Sequence, residues 1–143
     1  MNDDLTLWQQ GLAAEHAAIW GFGLVGATPP LALPAAAALD VHRTRRTRCI
    51  DAVVALGGSP VPSAPAYDIA KPPSARQGKA LAADLEQSCG VAYAALAGAA
   101  QRATRLQGAA WLRESSIAIW GWIDTVPALP GLNSDDPAAT STS

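Results

Sequence analysis

The chain has 143 residues, half of them hydrophobic, which suits one domain with a real core and argues against a disordered or fibrous segment. Alanine fills roughly a fifth of it and aromatics only 6%, so helices are favoured over sheets and an all-β fold is nearly excluded. With 10 basic against 12 acidic residues and a net charge of -2, there is no field to hold a polyanion, and nucleic acid is not an expected partner.

No apolar run reaches the roughly 20 residues of a membrane span, and the start Met1-Asn2-Asp3-Asp4 is acidic where a secretory leader is basic. The expected location is therefore the cytoplasm, with no membrane contact. Cys49 and Cys89 are too few for a disulfide framework and match no zinc spacing, so free buried thiols are expected.

The eleven prolines fall at 29 to 34, 60 to 73 and 127 to 137, and the windows between them predict helices. The last window is too long for one helix. It contains Gly98, Gly108 and the capping-box pattern Thr104-Arg105-Leu106-Gln107, which splits it. Four helices follow, at about 3–27, 34–57, 74–101 and 104–125, within one domain over 1–132. The short, long, short pattern of connections describes an antiparallel four-helix bundle with a long crossover between helices 2 and 3. Residues 133–143 are polar and are expected to form a flexible C-terminal tail.

The inward stripe of helix 1 reads Leu5, Trp8, Leu12, Glu15, Ile19, Phe22, Gly26. Helix 2 gives Ala35, Leu39, His42, Arg46, Cys49, Val53, Leu56. Helix 3 gives Ala82, Glu86, Cys89, Tyr93, Leu96, and helix 4 gives Ala110, Glu114, Ile117, Gly121. Each apolar run is interrupted near its middle. The chain has only three glutamates, Glu15, Glu86 and Glu114, although Glu is a favoured surface residue of helices. In an antiparallel hairpin, residues equidistant from the turn lie level. That places Glu15 beside His42 and Glu86 beside Glu114, in one buried polar layer that needs internal cations or a metal.

A carboxylate on each helix of such a bundle is the ferritin-like di-metal arrangement. The segments Ala14-Glu15-His16-Ala17-Ala18-Ile19-Trp20-Gly21, His42-Arg43-Thr44-Arg45-Arg46, Ala64-Pro65-Ala66-Tyr67 and Pro130-Gly131-Leu132 resemble an actinobacterial ferritin-like family of unknown function. The resemblance implies a degenerate ferritin-like fold and no assigned activity. The di-metal pattern wants Glu, Glu-x-x-His, Glu, Glu-x-x-His. Here both histidine positions are occupied otherwise, by Arg43 and Ile117, and His42 follows Asp40 by two residues, which aims the two apart.

The favoured reading is a metal-free, non-catalytic core in which Arg46 and His42 bridge Glu15, Glu86 and Glu114, with no cofactor, in a protein of structural, scaffold or binding role. The alternative is an iron or manganese carboxylate oxidase with Glu15, Asp40, His42, Glu86 and Glu114 as ligands. A third reading is a small-molecule binding bundle with a cavity beside Tyr93 and Trp111. His16 points off the seam and is expected on a flank. The apolar residues of helix 4 surround its circumference, which suggests a homodimer through Trp111, Ile119 and Trp122, or a cover supplied by Val126 to Leu132.

Overall fold

The computed structural model describes residues 3–123. Four helices make up its regular structure: α1 (Asp3–Gly26), α2 (Ala32–Ala55), α3 (Ala75–Ala97) and α4 (Arg102–Trp122), with a single 3-10 turn at Pro29–Leu31. No strand occurs among the described residues. The predicted tail 133–143 and the Val126 to Leu132 cover lie outside them. No described helix is long and apolar enough to cross a membrane.

Each boundary has a local cause. Pro29 and Pro30 begin the 3-10 turn, where their missing N–H groups cost nothing. Helix α2 ends in a Schellman motif: the Gly57 N–H donates to the Val54 carbonyl at 2.9 Å and the Gly58 N–H to that of Val53 at 2.9 Å, with Gly57 at φ +81. Ser74 caps α3 by accepting from the Gln77 N–H at 3.2 Å.

Helix α4 starts two residues before the predicted capping box. Its N-cap is Gln101, whose side chain makes no cap bond. The cap comes from α1 instead. The buried Asp4 carboxylate accepts from the backbone N–H groups of Ala100 at 2.8 Å and Gln101 at 3.0 Å. Asp4→Ala is expected to lower stability by about 1–2 kcal/mol, seen as a lower urea midpoint.

Helix α1 packs on α2 and α3, and α3 packs on α4. The shared core includes Trp8, Leu12, Phe22, Val25, Val53, Tyr93 and Leu96. Small residues set the closest approach. A Cβ at Gly108 would sit 2.4 Å from the Ala97 backbone nitrogen, so α3 and α4 come together here only because Gly108 has none. The segment between α2 and α3 runs beside α1: Gln9 bonds to Ser59 and Val61, His16 Nε2 lies 3.0 Å from the Val61 carbonyl, and Trp20 packs on Tyr67. His16 thus sits on the flank, tied to this connection.

The predicted inward stripe of α4 is off by one residue. Ala110, Glu114, Ile117 and Gly121 are all exposed, and the buried face is Thr104, Gly108, Trp111, Ser115 and Trp122. One residue rotates a helix by about 100°, which is enough to exchange inside for outside. Trp111 and Trp122 therefore face the core of their own chain, Trp111 edge-on to Trp8 and Tyr93 and Trp122 against Phe22. Both are buried within their own chain, and Ile119, the third residue expected at a dimer contact, is half-buried.

Candidate functional site

The polar positions of the four helices converge on one buried layer. Glu15, on α1, is fully buried and its Oε2 lies 2.7 Å from His42 Nδ1. The other imidazole nitrogen, Nε2, lies 3.1 Å from Glu86 Oε1 on α3. Glu86 Oε2 accepts from the Ser115 hydroxyl on α4 at 2.9 Å. Ser115 Oγ accepts in turn from Arg45 Nη1 at 3.2 Å, and the same Nη1 donates to the Tyr93 hydroxyl at 3.2 Å. Tyr93 closes the circuit by donating to Glu15 Oε1.

This is a closed ring, Glu15, His42, Glu86, Ser115, Arg45, Tyr93 and back to Glu15, drawn from all four helices. With both carboxylates ionised, its donor and acceptor roles have one consistent solution. Both imidazole nitrogens then face oxygens that only accept, so both carry hydrogen and His42 is an imidazolium. Ser115 and Tyr93 each donate to a carboxylate and accept from the guanidinium. Two carboxylates then meet two cations, and the ring is electrically neutral. No buried side-chain nitrogen or oxygen among the described residues lacks a partner.

The protonation state has a further basis. Burial by itself would drive the imidazole towards neutrality, but the contacts with Cys89, Glu15 and Glu86 outweigh it and raise the His42 pKa to about 11. Burial pushes the Tyr93 hydroxyl, Cys49 and Cys89 upward, so these stay protonated. Phe22 stacks on the imidazole at 5.1 Å, and the Arg45 guanidinium lies 5.1 Å from the Tyr93 ring and 5.7 Å from that of Trp111.

Of the residues predicted for this layer, the structure unites Glu15, His42 and Glu86. Glu114 stands at its edge with its side chain 58% exposed, holding Arg45 Nη2 at 2.7 Å. Arg46 is not in the layer: it is half-buried, and Arg45 takes the role assigned to it. Both lie one turn from His42. Their directions differ by about 100°, and only the Arg45 direction meets Tyr93, Ser115 and Glu114. Asp40, named for the metal alternative, has a side chain 83% exposed and pairs with Arg43 at 3.6 Å. It points away from His42, as the two-residue spacing requires.

Sequence reasoning missed Ser115, and it read Tyr93 as the neighbour of a cavity and Cys89 as a free buried thiol rather than as parts of this layer. A signal existed for Cys89, which follows Glu86 by three residues, the spacing that sets two side chains on one face of a helix. Glu15, His42 and Cys89 bring one possible ligand atom each to within 4.8 Å of one another. Beside this set, a groove of about 670 Å³ opens between α2 and α4. It is walled by Leu31, Pro34, Val41 and Trp122, with Arg45 and Glu86 on its lining. Tyr93 lies outside that lining, in the filled core.

Four helices closed over a neutral ionic ring, two of whose members also line the groove between α2 and α4, define the described residues as an all-α bundle with its polar groups in the core. The chain belongs to the family described as a domain of unknown function, DUF4439, whose model matches residues 8–134. It is similar to a conserved hypothetical protein, Rv2844, from Mycobacterium tuberculosis. The crystal structure of that protein superposes with a TM-score of 0.79 at 30% identity, covering 84% of this chain and 94% of the other. No curated protein matches the chain.

Proposed function

We propose that the protein is a non-catalytic, ferritin-like antiparallel bundle of scaffold or binding role, in which protein cations do the electrostatic work a metal pair would do. The antiparallel reading is supported by the order of neighbours. Gly11 lies beside Cys49, Glu15 beside His42 and Gly26 beside Ala35, so one number falls as the other rises. Gly21 beside Leu85 and Ala14 beside Cys89 give the same sense for α1 and α3. Helices α2 and α3 would then be parallel, joined by the crossover along α1.

The observation that carries the functional reading is the position of Arg45. Its guanidinium spans Tyr93, Ser115 and Glu114, next to carboxylates that would otherwise be ligands. A fixed positive charge there opposes a divalent ion. The residues present do not fit a dinuclear centre, which needs four carboxylates and two histidines. One imidazole is at hand, both its nitrogens are engaged, and Asp40 faces outward.

Metal analysis of protein expressed in medium supplemented with iron and manganese tests this reading. The expected outcome is a trace, unrelated to the ring, that Glu15→Ala does not alter. Near-stoichiometric iron or manganese that Glu15→Ala removes would overturn the proposal.

A further inference from the structure

One seam of the bundle is not filled by the described residues. Helix α1 packs on α2 and α3, and α3 on α4, whereas the side-chain bonds between α2 and α4 among the described residues all come from Arg45, to Ser115 and Glu114. Between these two helices runs the groove of about 670 Å³, with Leu31 and Trp122 at one end and Arg45 and Glu114 at the other. Its α2 wall is apolar and open: Pro34, Ala37 and Val41 are exposed there, Val41 by 46%. The sequence supplies an occupant of matching chemistry at the matching end. Trp122, on the groove, closes α4, and after three intervening residues comes Val126-Pro127-Ala128-Leu129-Pro130-Gly131-Leu132.

Val126 and Leu129 each precede a proline, which steers them to extended backbone, and Pro127 and Pro130 bring no N–H that burial would leave unpaired. In a polyproline helix of three residues per turn, Val126, Leu129 and Leu132 share one edge. Seven residues at about 3.1 Å each span about 22 Å, and the groove wall from Leu31 to Arg45 is about 21 Å long at 1.5 Å per helical residue. The family's model runs on to residue 134, so the segment belongs to the same domain as the helices.

We infer that residues 126–132 are the occupant of this groove. The chain reverses at Asp124 and Thr125 and runs back between α2 and α4 with its apolar edge inward. Val126 then lies by Leu31 and Trp122, Leu129 midway by Ala37 and Ala118, and Leu132 by Val41 at the Arg45 end. Apolar grooves with an aromatic wall take proline-rich extended segments well, because such a segment has little backbone freedom to lose. Seated there, the segment keeps water from Arg45 and Glu86, the two members of the ionic ring that line the groove.

Paired cysteines in the full chain test the inference. Ala37→Cys combined with Leu129→Cys is expected to form a disulfide within one chain under mild oxidation, seen as a faster band on a non-reducing gel. Val91→Cys combined with Leu129→Cys should not, because Val91, 71% exposed on α3, is not on the groove. Urea denaturation gives a second readout that needs no cross-link. Leu129→Asp and Leu132→Asp should each lower the midpoint by about 1 M, whereas Ala138→Asp, beyond the segment, should leave it unchanged.

Equal midpoints for the wild type, Leu129→Asp and Leu132→Asp overturn the proposal and leave the groove to another ligand. So does a first pair that oxidises no faster than the second. A disulfide in the first pair that joins two chains, doubling the mass, gives the groove to a second copy and overturns it as well.

Discussion

Arg45→Ala is expected to cost about 3–5 kcal/mol, whereas Arg46→Ala, one residue on, should change stability by less than about 0.5 kcal/mol. The difference follows from what each guanidinium leaves behind. Removing Arg45 strips the ring of one of its two cations and leaves the hydroxyls of Tyr93 and Ser115 without the donor they accept from. Glu15 and Glu86 then share a buried space with His42 as the only positive charge. A buried charge deprived of its partner is costly because no water replaces it.

Arg45→Lys separates charge from shape. It restores the cation, but a single ammonium cannot span Tyr93, Ser115 and Glu114 as the planar fork does, so an intermediate loss of about 1–2 kcal/mol is expected. Urea denaturation of the four proteins gives the ranking. Equal losses for Arg45→Ala and Arg46→Ala would show that the ring does not hold this fold together. If Arg45→Ala cannot be purified folded, the lysine variant still reads the effect.

The second large effect is on pH. His42 holds its proton in the native chain to about pH 11, and the unfolded chain releases it near 6.5. Below about 6.5 both states carry the proton and its contribution to stability is fully present. Between those two values the unfolded state alone gives it up, so stability falls as pH rises, by up to about 1.4 kcal/mol per unit. Above about pH 9, Cys49 and Cys89, kept protonated by burial, act in the same direction. Glu15, Glu86 and Cys89 are the groups that face the imidazole, and Arg45 adjoins through the ring.

Wild-type stability is therefore expected to drop by about 2–3 kcal/mol between pH 7 and pH 9. His42→Gln should start lower and be nearly flat over the same interval. A flat wild-type profile would mean that His42 is neutral in the folded chain, and the ring would lose its charge balance.

Much of this was readable without coordinates, for identifiable reasons. Proline cannot sit in a helix interior, so the clusters at 29–34 and 60–73 marked the breaks before and after α2 to within a few residues, and Gly98 with the 104–107 pattern marked the break between α3 and α4. The scarcity of glutamate singled out Glu15, Glu86 and Glu114, because a helix surface would have used glutamate freely; the first two are buried, and Glu114 stands exposed at the edge of the layer. Equal distance from a turn brought Glu15 level with His42, a relation that depends on chain length alone.

Which side of a helix faces inward was a different matter. On α2, Arg45 and Arg46 are equally one turn from His42. On α4, a stripe through Glu114 and Ile117 is as regular as one through Trp111 and Ser115. Periodicity fixes the spacing of a face but not its direction when several faces are apolar. That choice was settled only by the neighbouring helices, where the missing side chain of Gly108 draws α4 onto α3 and turns Trp111, Ser115 and Trp122 inward.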